Sequence, residues 1–253
     1  MSTSTNNKLA VVILAAGHGT RMKSELPKVV HTVNGVTMIE QVVTAVEDAR
    51  ICDIPIVVVN PNHTYVQDVL GNRATYVVQD EQLGTGHAVS VTEQALKGHA
   101  EHVLVLYGDM PFVSSESLSS IVNDHTENSP VITLVNTIAE NFDGWRKAFY
   151  HHGRIIRDEH GNIVKNVELR DANEEQKKIT EVWSGIMCFK AEWLWNHIHN
   201  LQTDNDQNEY YLTDLIEMAS VESAAITSSL LPNEEVVGIN SKDDLENAQI
   251  LIS

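Results

Sequence analysis

The chain alternates short apolar segments, rich in β-branched residues, with longer stretches in which apolar positions recur three or four residues apart. The short segments predict strands, at residues 9–14, 54–59, 74–78, 102–107 and 130–135. The first reads LAVVIL and has no polar residue to face water on either side. Near-continuous apolar strands of this kind are typical of a parallel sheet covered on both faces.

The intervening stretches predict helices that cross over between the strands. MIEQVVTAVEDA, beginning at Met38, has one apolar stripe, formed by Ile39, Val42, Val43 and Val46. Two more crossover helices are predicted, for HAVSVTEQAL from His87 and for SESLSSIVNDH from Ser115. These elements indicate a doubly wound α/β fold.

After about residue 140 the regular alternation of predicted strands and crossover helices changes. RIIRDEHGNIVKNVEL predicts a hairpin that turns at His160, Gly161 and Asn162. A strand, VWSGIMCFK, and three helices, AEWLWNHIHNL, NEYYLTDLIEMA and SKDDLENAQILI, are predicted to follow. With no repeat or separating linker, we expect a single domain over residues 1–253. It has a core at about 8–140, with a mostly parallel sheet, and a mixed α+β C-terminal extension at about 141–253.

The composition limits the kinds of partner that we expect this protein to bind. The net charge is −18, from 35 acidic and 17 basic residues, which argues against nucleic acid as a partner. The two cysteines, Cys52 and Cys188, lie far apart, as expected for a reducing compartment without a disulfide framework. The first seven residues, MSTSTNN, are polar, and no apolar run reaches the roughly 20 residues needed to cross a bilayer. We therefore expect a cytoplasmic protein without a membrane partner.

The loop after the first predicted strand is built from small residues. Ala15, Ala16, Gly17 and Gly19 would let the backbone approach an anion closely. The loop is not a dinucleotide fingerprint, because Met22 stands where a third glycine is required, and no GK[ST] closes it as a P-loop. Its pattern alone leaves a structural glycine turn and a phosphate-binding loop equally open.

The cations beside this loop favour phosphate binding. Arg21 can bind phosphate oxygens through two parallel hydrogen bonds, and Lys28, after Pro27, supplies a point charge. Lys23 is interpreted as a solvated neighbour. In so acidic a chain, this concentration of positive charge predicts an anionic ligand.

LAAGHGTRMKSELPKVVH resembles the signature of the sugar-nucleotide pyrophosphorylases. Four further segments occur in the family's order: VVQDEQLGTGHAV, LYGDMPFV, NEYYLTDLIEMA and VVGINSKDDLENA. The order and spacing are most similar to the branch that uridylylates N-acetylglucosamine 1-phosphate, and the resemblance runs from about Lys8 to Ile250. It implies a Rossmann-like nucleotide-diphospho-sugar transferase fold, with nucleotide bound by residues 8–140 and sugar by residues 141–253.

The resemblance also implies a metal site. In the family, the Asp of YGDMP and the Asn of the later IN segment hold Mg²⁺, which gives Asp109 and Asn240 here. Two protein ligands suit Mg²⁺, because it keeps several waters and takes phosphate oxygens. Without the resemblance, Asp109 would be a turn or cap residue after a strand, and Asn240 a residue at a helix N-terminus.

The family's nucleotide contacts correspond to a set of loop and strand-end residues. In the family the Gln that matches Gln79 reads the uracil edge, and its amide can reject a wrong base by leaving a polar group unpaired. By sequence alone, the segment around Gln79 would be a βα turn with glycine caps. The full set is Leu14, Ala15, Ala16, Gly17, Gln79, Gly84, Thr85, Tyr107 and Gly108.

For the sugar, the resemblance implies Gly153, Glu168 and the residue at position 183. The family has an Asn there within E-x-N-T-G, whereas this chain has Trp183 within EVWSG. A tryptophan can stack on sugar C–H faces but offers one N–H donor. Stacking on sugar and packing in the core remain equally open for Trp183.

The resemblance thus implies a Mg²⁺-dependent uridylyltransferase that uses UTP and N-acetylglucosamine 1-phosphate, with Arg21 and Lys28 as catalytic residues. A different hexose or hexosamine 1-phosphate is an alternative acceptor, and guanylyl transfer to molybdopterin or cytidylyl transfer to a small phosphate is an alternative reaction. The alternative that is not an enzyme is a regulatory protein that binds the nucleotide without turning it over. The bifunctional members continue into hexapeptide repeats that carry acetyl transfer and trimerisation. Since the sequence ends at Ser253 without them, we expect no acetyltransferase activity and leave the oligomeric state open.

Overall fold

The computed structural model describes residues 9–17 and 19–251. The polar segment MSTSTNN, Lys8 and His18 lie outside the described residues. The strands are β1 (Leu9–Leu14), β2 (Thr32–Val33), β3 (Val36–Thr37), β4 (Ile56–Val59), β5 (Thr75–Val78), β6 (His102–Tyr107), β7 (Ile132–Ile138), β8 (Arg154–Arg157), β9 (Ile163–Val167), β10 (Glu181–Lys190) and β11 (Ile226–Leu230). The α-helices are α1 (Met38–Ala49), α2 (Tyr65–Leu70), α3 (Thr85–Ser90), α4 (Glu93–Leu96), α5 (Ser115–Asn128), α6 (Ala191–His197), α7 (Asp214–Val221) and α8 (Lys242–Leu251).

One mixed, mostly parallel sheet forms the centre, in the order β11-β7-β10-β6-β1-β4-β5. The pairs β6-β1, β1-β4, β4-β5 and β11-β7 are parallel, whereas β10 runs antiparallel to both of its neighbours. Because of that reversal, the beginning of β10 lies at the edge of the sheet where the parallel strands end. The hairpin β8-β9 joins there through β8 and β10.

Helices cover both faces of the sheet, as the predicted doubly wound α/β fold requires. Alternate residues of β1 belong to opposite cores: Val11 and Ile13 pack with the helices α1, α2 and α5, and Val12 packs with α3, α4, α6 and α7. This explains the uninterrupted apolar strand, because each face of β1 is buried. The predicted stripe on α1 is buried in the first core. The helix begins at a capping box in which Thr37 and Glu40 exchange side-chain-to-backbone hydrogen bonds.

The predicted strands and the hairpin at residues 160–162 are confirmed, two helix predictions are wrong, and one strand was not predicted. The helix expected from His87 is two short helices, the first of which begins at Thr85. In NEYYLTDLIEMA the helix begins at Asp214, because the preceding residues bond to other segments: the Tyr210 N–H donates to Leu83 O and the Leu212 N–H to Thr85 Oγ1. The strand β11 was not predicted, since ITSSL lacks a continuous apolar pattern.

Candidate active site

A cleft lies at the edge of the sheet where β1, β5 and β6 end and β10 begins. It consists of two adjoining cavities. The loop chamber, about 280 Å³, is lined by the small-residue loop after β1. The tryptophan chamber, about 270 Å³, is lined by Trp183. The two chambers share wall residues and meet at Lys28, Thr85, Tyr107, Asp109 and Glu209. Open α/β sheets bind ligands at this edge.

The predicted nucleotide residues come together in the loop chamber, with one exception. Gly108 does not line either chamber; its N–H donates to Leu14 O and ties the end of β6 to the end of β1. The residues of the set that line the loop chamber are Leu14, Ala15, Ala16, Gly17, Gln79, Gly84, Thr85 and Tyr107. Segments far apart in sequence therefore converge on one cavity.

Gln79 lies buried directly after β5 and is held by a neighbouring loop. Its Nε2 donates to Gly84 O at 3.2 Å, while Gln82 Nε2 donates to Gln79 O. Gly84 must be glycine, because its φ is +108° and a Cβ there would lie 2.7 Å from Tyr210 O. The Gly84 backbone thus packs against Tyr210 and fixes the amide of Gln79 at the chamber wall.

Two cations and two predicted metal ligands form one cluster where the chambers meet. The Lys28 ammonium bonds to Asp109 Oδ2 and, at 2.7 Å, to Asn240 Oδ1. Arg21 does not line either chamber but lies at the rim, where its Nη2 donates to the same Asn240 oxygen at 2.9 Å. Asp109 is 6% exposed, and the Ile239 N–H donates to Asp109 O, which brings Asn240 beside it. The cluster depends on contacts between residues more than 80 positions apart.

This cluster fits a divalent cation. A carboxylate oxygen of Asp109 and an amide oxygen of Asn240 converge on one positively charged group, the Lys28 ammonium. Both are hard oxygen ligands of the kind that Mg²⁺ prefers. In residues 9–17 and 19–251, no group of three or more His, Cys, Asp or Glu side chains is arranged to hold a metal. The donor set therefore suits an ion that completes its coordination with phosphate oxygens and water.

The predicted sugar residues come together in the tryptophan chamber, where Gly153, Glu168 and Trp183 all lie in the wall. Gly153 O accepts the Trp183 N–H at 3.0 Å, which joins the start of β8 to β10. Trp183 packs in the second core and is 9% exposed, yet it also lines the cavity. The two interpretations of its role are thus compatible.

Glu168 is the carboxyl group of this cleft whose pKa is most strongly perturbed. The pKa of its carboxyl is raised to about 7, mainly by burial and to a smaller extent by the nearby carboxylates of Asp171 and Asp214. Hydrogen bonds that Glu168 Oε1 accepts from Asn166 and Thr213 oppose the rise. A glutamate poised near neutral pH in a cleft is typical of a functional site.

Several wall residues were not assigned a role from the sequence. In the tryptophan chamber these include Met110, His151, His152, Gln207, Tyr211 and Thr213. Glu209, Tyr211 and Thr213 belong to NEYYLTD, one of the segments that carry the resemblance, and His152 directly precedes Gly153. Gln207 belongs to none of the quoted motifs; its Nε2 donates to Tyr211 OH at 2.7 Å, which holds its side chain beside the NEYYLTD segment.

Comparison with known proteins identifies the class to which this fold and cleft belong. A model of the MobA-like NTP transferase domain matches residues 11–165. The chain is 39% identical over 241 residues to the bifunctional protein GlmU of Clostridium botulinum, and 40% identical over 242 residues to that of Caldanaerobacter subterraneus. These alignments cover 95% and 96% of the chain. Such features define a nucleotidyltransferase. The chain belongs to the MobA-like NTP transferase family.

The chain spans about half the length of these relatives, 51% of each. Among solved structures, it resembles a Bacillus anthracis protein assigned as a glucose-1-phosphate thymidylyltransferase and solved with sucrose. The TM-score is 0.75 at 18% identity, covering 96% of this chain and 94% of the other, so that this likeness concerns the fold. Within the described part of the chain, no helix is both long and apolar enough to cross a membrane.

Proposed function

We propose that the chain is a uridylyltransferase that makes a UDP-sugar and pyrophosphate from UTP and N-acetylglucosamine 1-phosphate. The loop chamber would take UTP and the tryptophan chamber the sugar 1-phosphate. The observation that carries this proposal is the meeting of the two chambers at Lys28 and Asp109. Two phosphorylated substrates that react with each other need such a junction, where their phosphates lie side by side.

UTP is proposed to lie with its base beside Gln79 and its phosphates along the loop. The small side chains of Ala15, Ala16 and Gly17 leave the backbone accessible at the chamber wall. The buried amide of Gln79 can both donate to and accept from the polar edge of a pyrimidine. This arrangement supports uracil over a base that would leave the amide unpaired.

In the proposed reaction, an oxygen of the sugar 1-phosphate attacks the α-phosphorus of UTP in line. A new P–O bond forms as the bond between the α-phosphorus and its bridging oxygen breaks, and pyrophosphate leaves with that electron pair. The attacking oxygen is already ionised at neutral pH, so no side chain needs to remove a proton. Positioning and charge neutralisation are then the main contributions of the protein.

Lys28 lies where the chambers meet, and its ammonium is proposed to neutralise the α-phosphate. Arg21, at the rim beside Asn240, is proposed to bind the leaving pyrophosphate, for which a guanidinium can donate two parallel hydrogen bonds. Asp109 and Asn240 are the residues that would hold Mg²⁺. When bound there, this ion would withdraw negative charge from the phosphates.

The test is pyrophosphate release by the purified chain over a panel of substrates. The nucleotides are UTP, dTTP, CTP and GTP, and the acceptors are the 1-phosphates of N-acetylglucosamine, N-acetylgalactosamine and glucose. We expect release with UTP and N-acetylglucosamine 1-phosphate in the presence of Mg²⁺. Binding of UTP without release for any pair would instead support a regulatory protein, and faster release with dTTP would correct the base assignment.

A further inference from the structure

The inner wall of the tryptophan chamber is formed where the strand β10 is irregular. Its register against β7 shifts between Trp183 and Met187, and Gly185 within this bulge has φ +102°. A β-bulge re-aims neighbouring side chains. Trp183, Ser184 and Gly185 all line the cavity. The bulge thus places a large aromatic residue both in the core and at the chamber surface.

The polar atoms of Trp183 are all used within the protein. Its backbone N–H donates to Gly153 O at 3.0 Å, and its indole Nε1 donates to Ile186 O at 3.4 Å. His152 Nδ1 lies 2.9 Å from Trp183 O, and since a carbonyl can only accept, this nitrogen carries the proton. What Trp183 can offer a ligand is therefore the carbon surface of its ring.

The ring is also held in place. Tyr107 packs against it edge to face, with ring centroids 5.8 Å apart and planes at 83°. Since Tyr107 lies where the chambers meet, the ring is fixed relative to the Lys28 and Asp109 junction. A rigid aromatic surface at a fixed distance from a phosphate site can select ligands by the shape and position of the group attached to that phosphate.

The other wall residues of the chamber include acidic side chains. Glu168 uses Oε1 to accept from Asn166 and Thr213, so those bonds do not engage its second carboxyl oxygen. Glu209 also lines the chamber. Both carboxyl groups can accept hydrogen bonds from neutral hydroxyl groups, and the negative charge that they carry when ionised repels a second anionic group on the ligand.

We propose that Trp183 is the specificity-determining residue for the acceptor, packing its ring against the C–H face of an uncharged hexose unit while Glu168 binds the hydroxyls. This proposal rests on the proposed function and names its substrate class. Acceptors are neutral hexoses or N-acylated hexosamines that carry one phosphate, at C1. Sugars with a carboxylate or a second phosphate are rejected.

The variants Trp183→Phe and Trp183→Leu separate this role from packing. Phenylalanine keeps an aromatic face, whereas leucine keeps apolar bulk without a ring. In Trp183→Leu, KM for N-acetylglucosamine 1-phosphate should rise about tenfold, the factor that a stacking contact of this kind supports. KM for UTP should not change, and Trp183→Phe should stay close to the wild type. Trp193→Phe is the control, because Trp193 stacks on His197 away from the cleft.

A folded Trp183→Leu variant with unchanged acceptor KM would overturn the proposal, as would equal losses for UTP and acceptor. Equal kcat/KM for glucuronic acid 1-phosphate and glucose 1-phosphate would overturn the charge selection, for which we expect at least about a tenfold preference for the neutral sugar.

Calorimetry distinguishes failure of this proposal from failure of the proposed function. N-acetylglucosamine 1-phosphate is titrated into each variant saturated with a non-transferable UTP analogue. If the wild type releases no pyrophosphate, the proposed function fails, but weaker acceptor binding to Trp183→Leu still supports the role of Trp183. Equal binding to both, or no binding to the wild type, overturns it.

Discussion

Replacing Glu168 with glutamine should make the protein more stable at alkaline pH while weakening its function. In the folded protein the pKa of Glu168 is about 7, against an ordinary value of 4.5, with burial as the main cause. The native state therefore binds more protons than the unfolded state between these values. Stability must then fall as pH rises from about 4.5 through about 7, and Glu168 remains destabilising above that range.

The structure also gives the size of the effect. The difference between 4.5 and about 7 corresponds to roughly 3 kcal/mol at about 1.4 kcal/mol per pKa unit. Glu168 faces the cleft, and solvent screening there reduces the expected gain to about 1–2 kcal/mol. Asn166 and Thr213 donate to Oε1, and a glutamine carbonyl oxygen can accept the same bonds. For a chain of this length the gain is worth roughly 2–8 °C in melting temperature.

The assay is thermal melting of the wild type and Glu168→Gln at pH 5 and pH 8. We expect the melting temperature of Glu168→Gln to exceed that of the wild type at pH 8, and the difference to shrink at pH 5. Glu192→Gln, at an exposed position on α6, serves as the control and should show little difference at either pH. A Glu168→Gln variant that is less stable at pH 8, or a difference independent of pH, would show that the buried Glu168 carboxylate is not destabilising.

Three further substitutions test other parts of the cleft. Lys28→Met should let the nucleotide-free protein bind Mn²⁺ roughly tenfold more tightly in a calorimetric titration, because the competing ammonium is lost; weaker binding would contradict this. Gly84→Ala should lower the free energy of unfolding by about 1–3 kcal/mol in a denaturant titration, and by more than Gly98→Ala. Both glycines have positive φ, but a Cβ at Gly84 would clash with Tyr210, whereas a Cβ at Gly98 would meet no atom within 4 Å. Equal losses for the two variants would contradict this prediction. Gln79→Ala should raise KM for UTP about tenfold without changing KM for the acceptor, a split that steady-state kinetics measures; equal effects on both would count against base recognition.

The fold was predictable to the extent that it depends on local pattern. The apolar strand β1 and the stripe on α1 follow from burial on two faces and on one face, respectively. The antiparallel insertion of β10 between β6 and β7 could not be read from periodicity, because a buried strand looks the same in either direction. That insertion brings Trp183 to the cleft.

The site was predictable where a residue type alone restricts the chemistry. Small residues and cations in one loop indicated a place for phosphate, and Lys28 lies at the junction of the chambers. Asn240 had no such signal, since an asparagine before a helix is ordinary, and the motif order was needed to single it out. The perturbed pKa of Glu168 depends on packing among distant segments, which no local pattern records.

The cluster of Lys28, Asp109 and Asn240 is proposed to support nucleotidyl transfer between the two chambers. Pyrophosphate release from UTP and N-acetylglucosamine 1-phosphate with Mg²⁺, compared between the wild type and Asp109→Asn, tests it most directly. We predict release by the wild type and a loss of about 100-fold or more in Asp109→Asn, whose circular dichroism remains that of the folded protein. Unchanged Mg²⁺-dependent release by Asp109→Asn would contradict the assignment of this cluster.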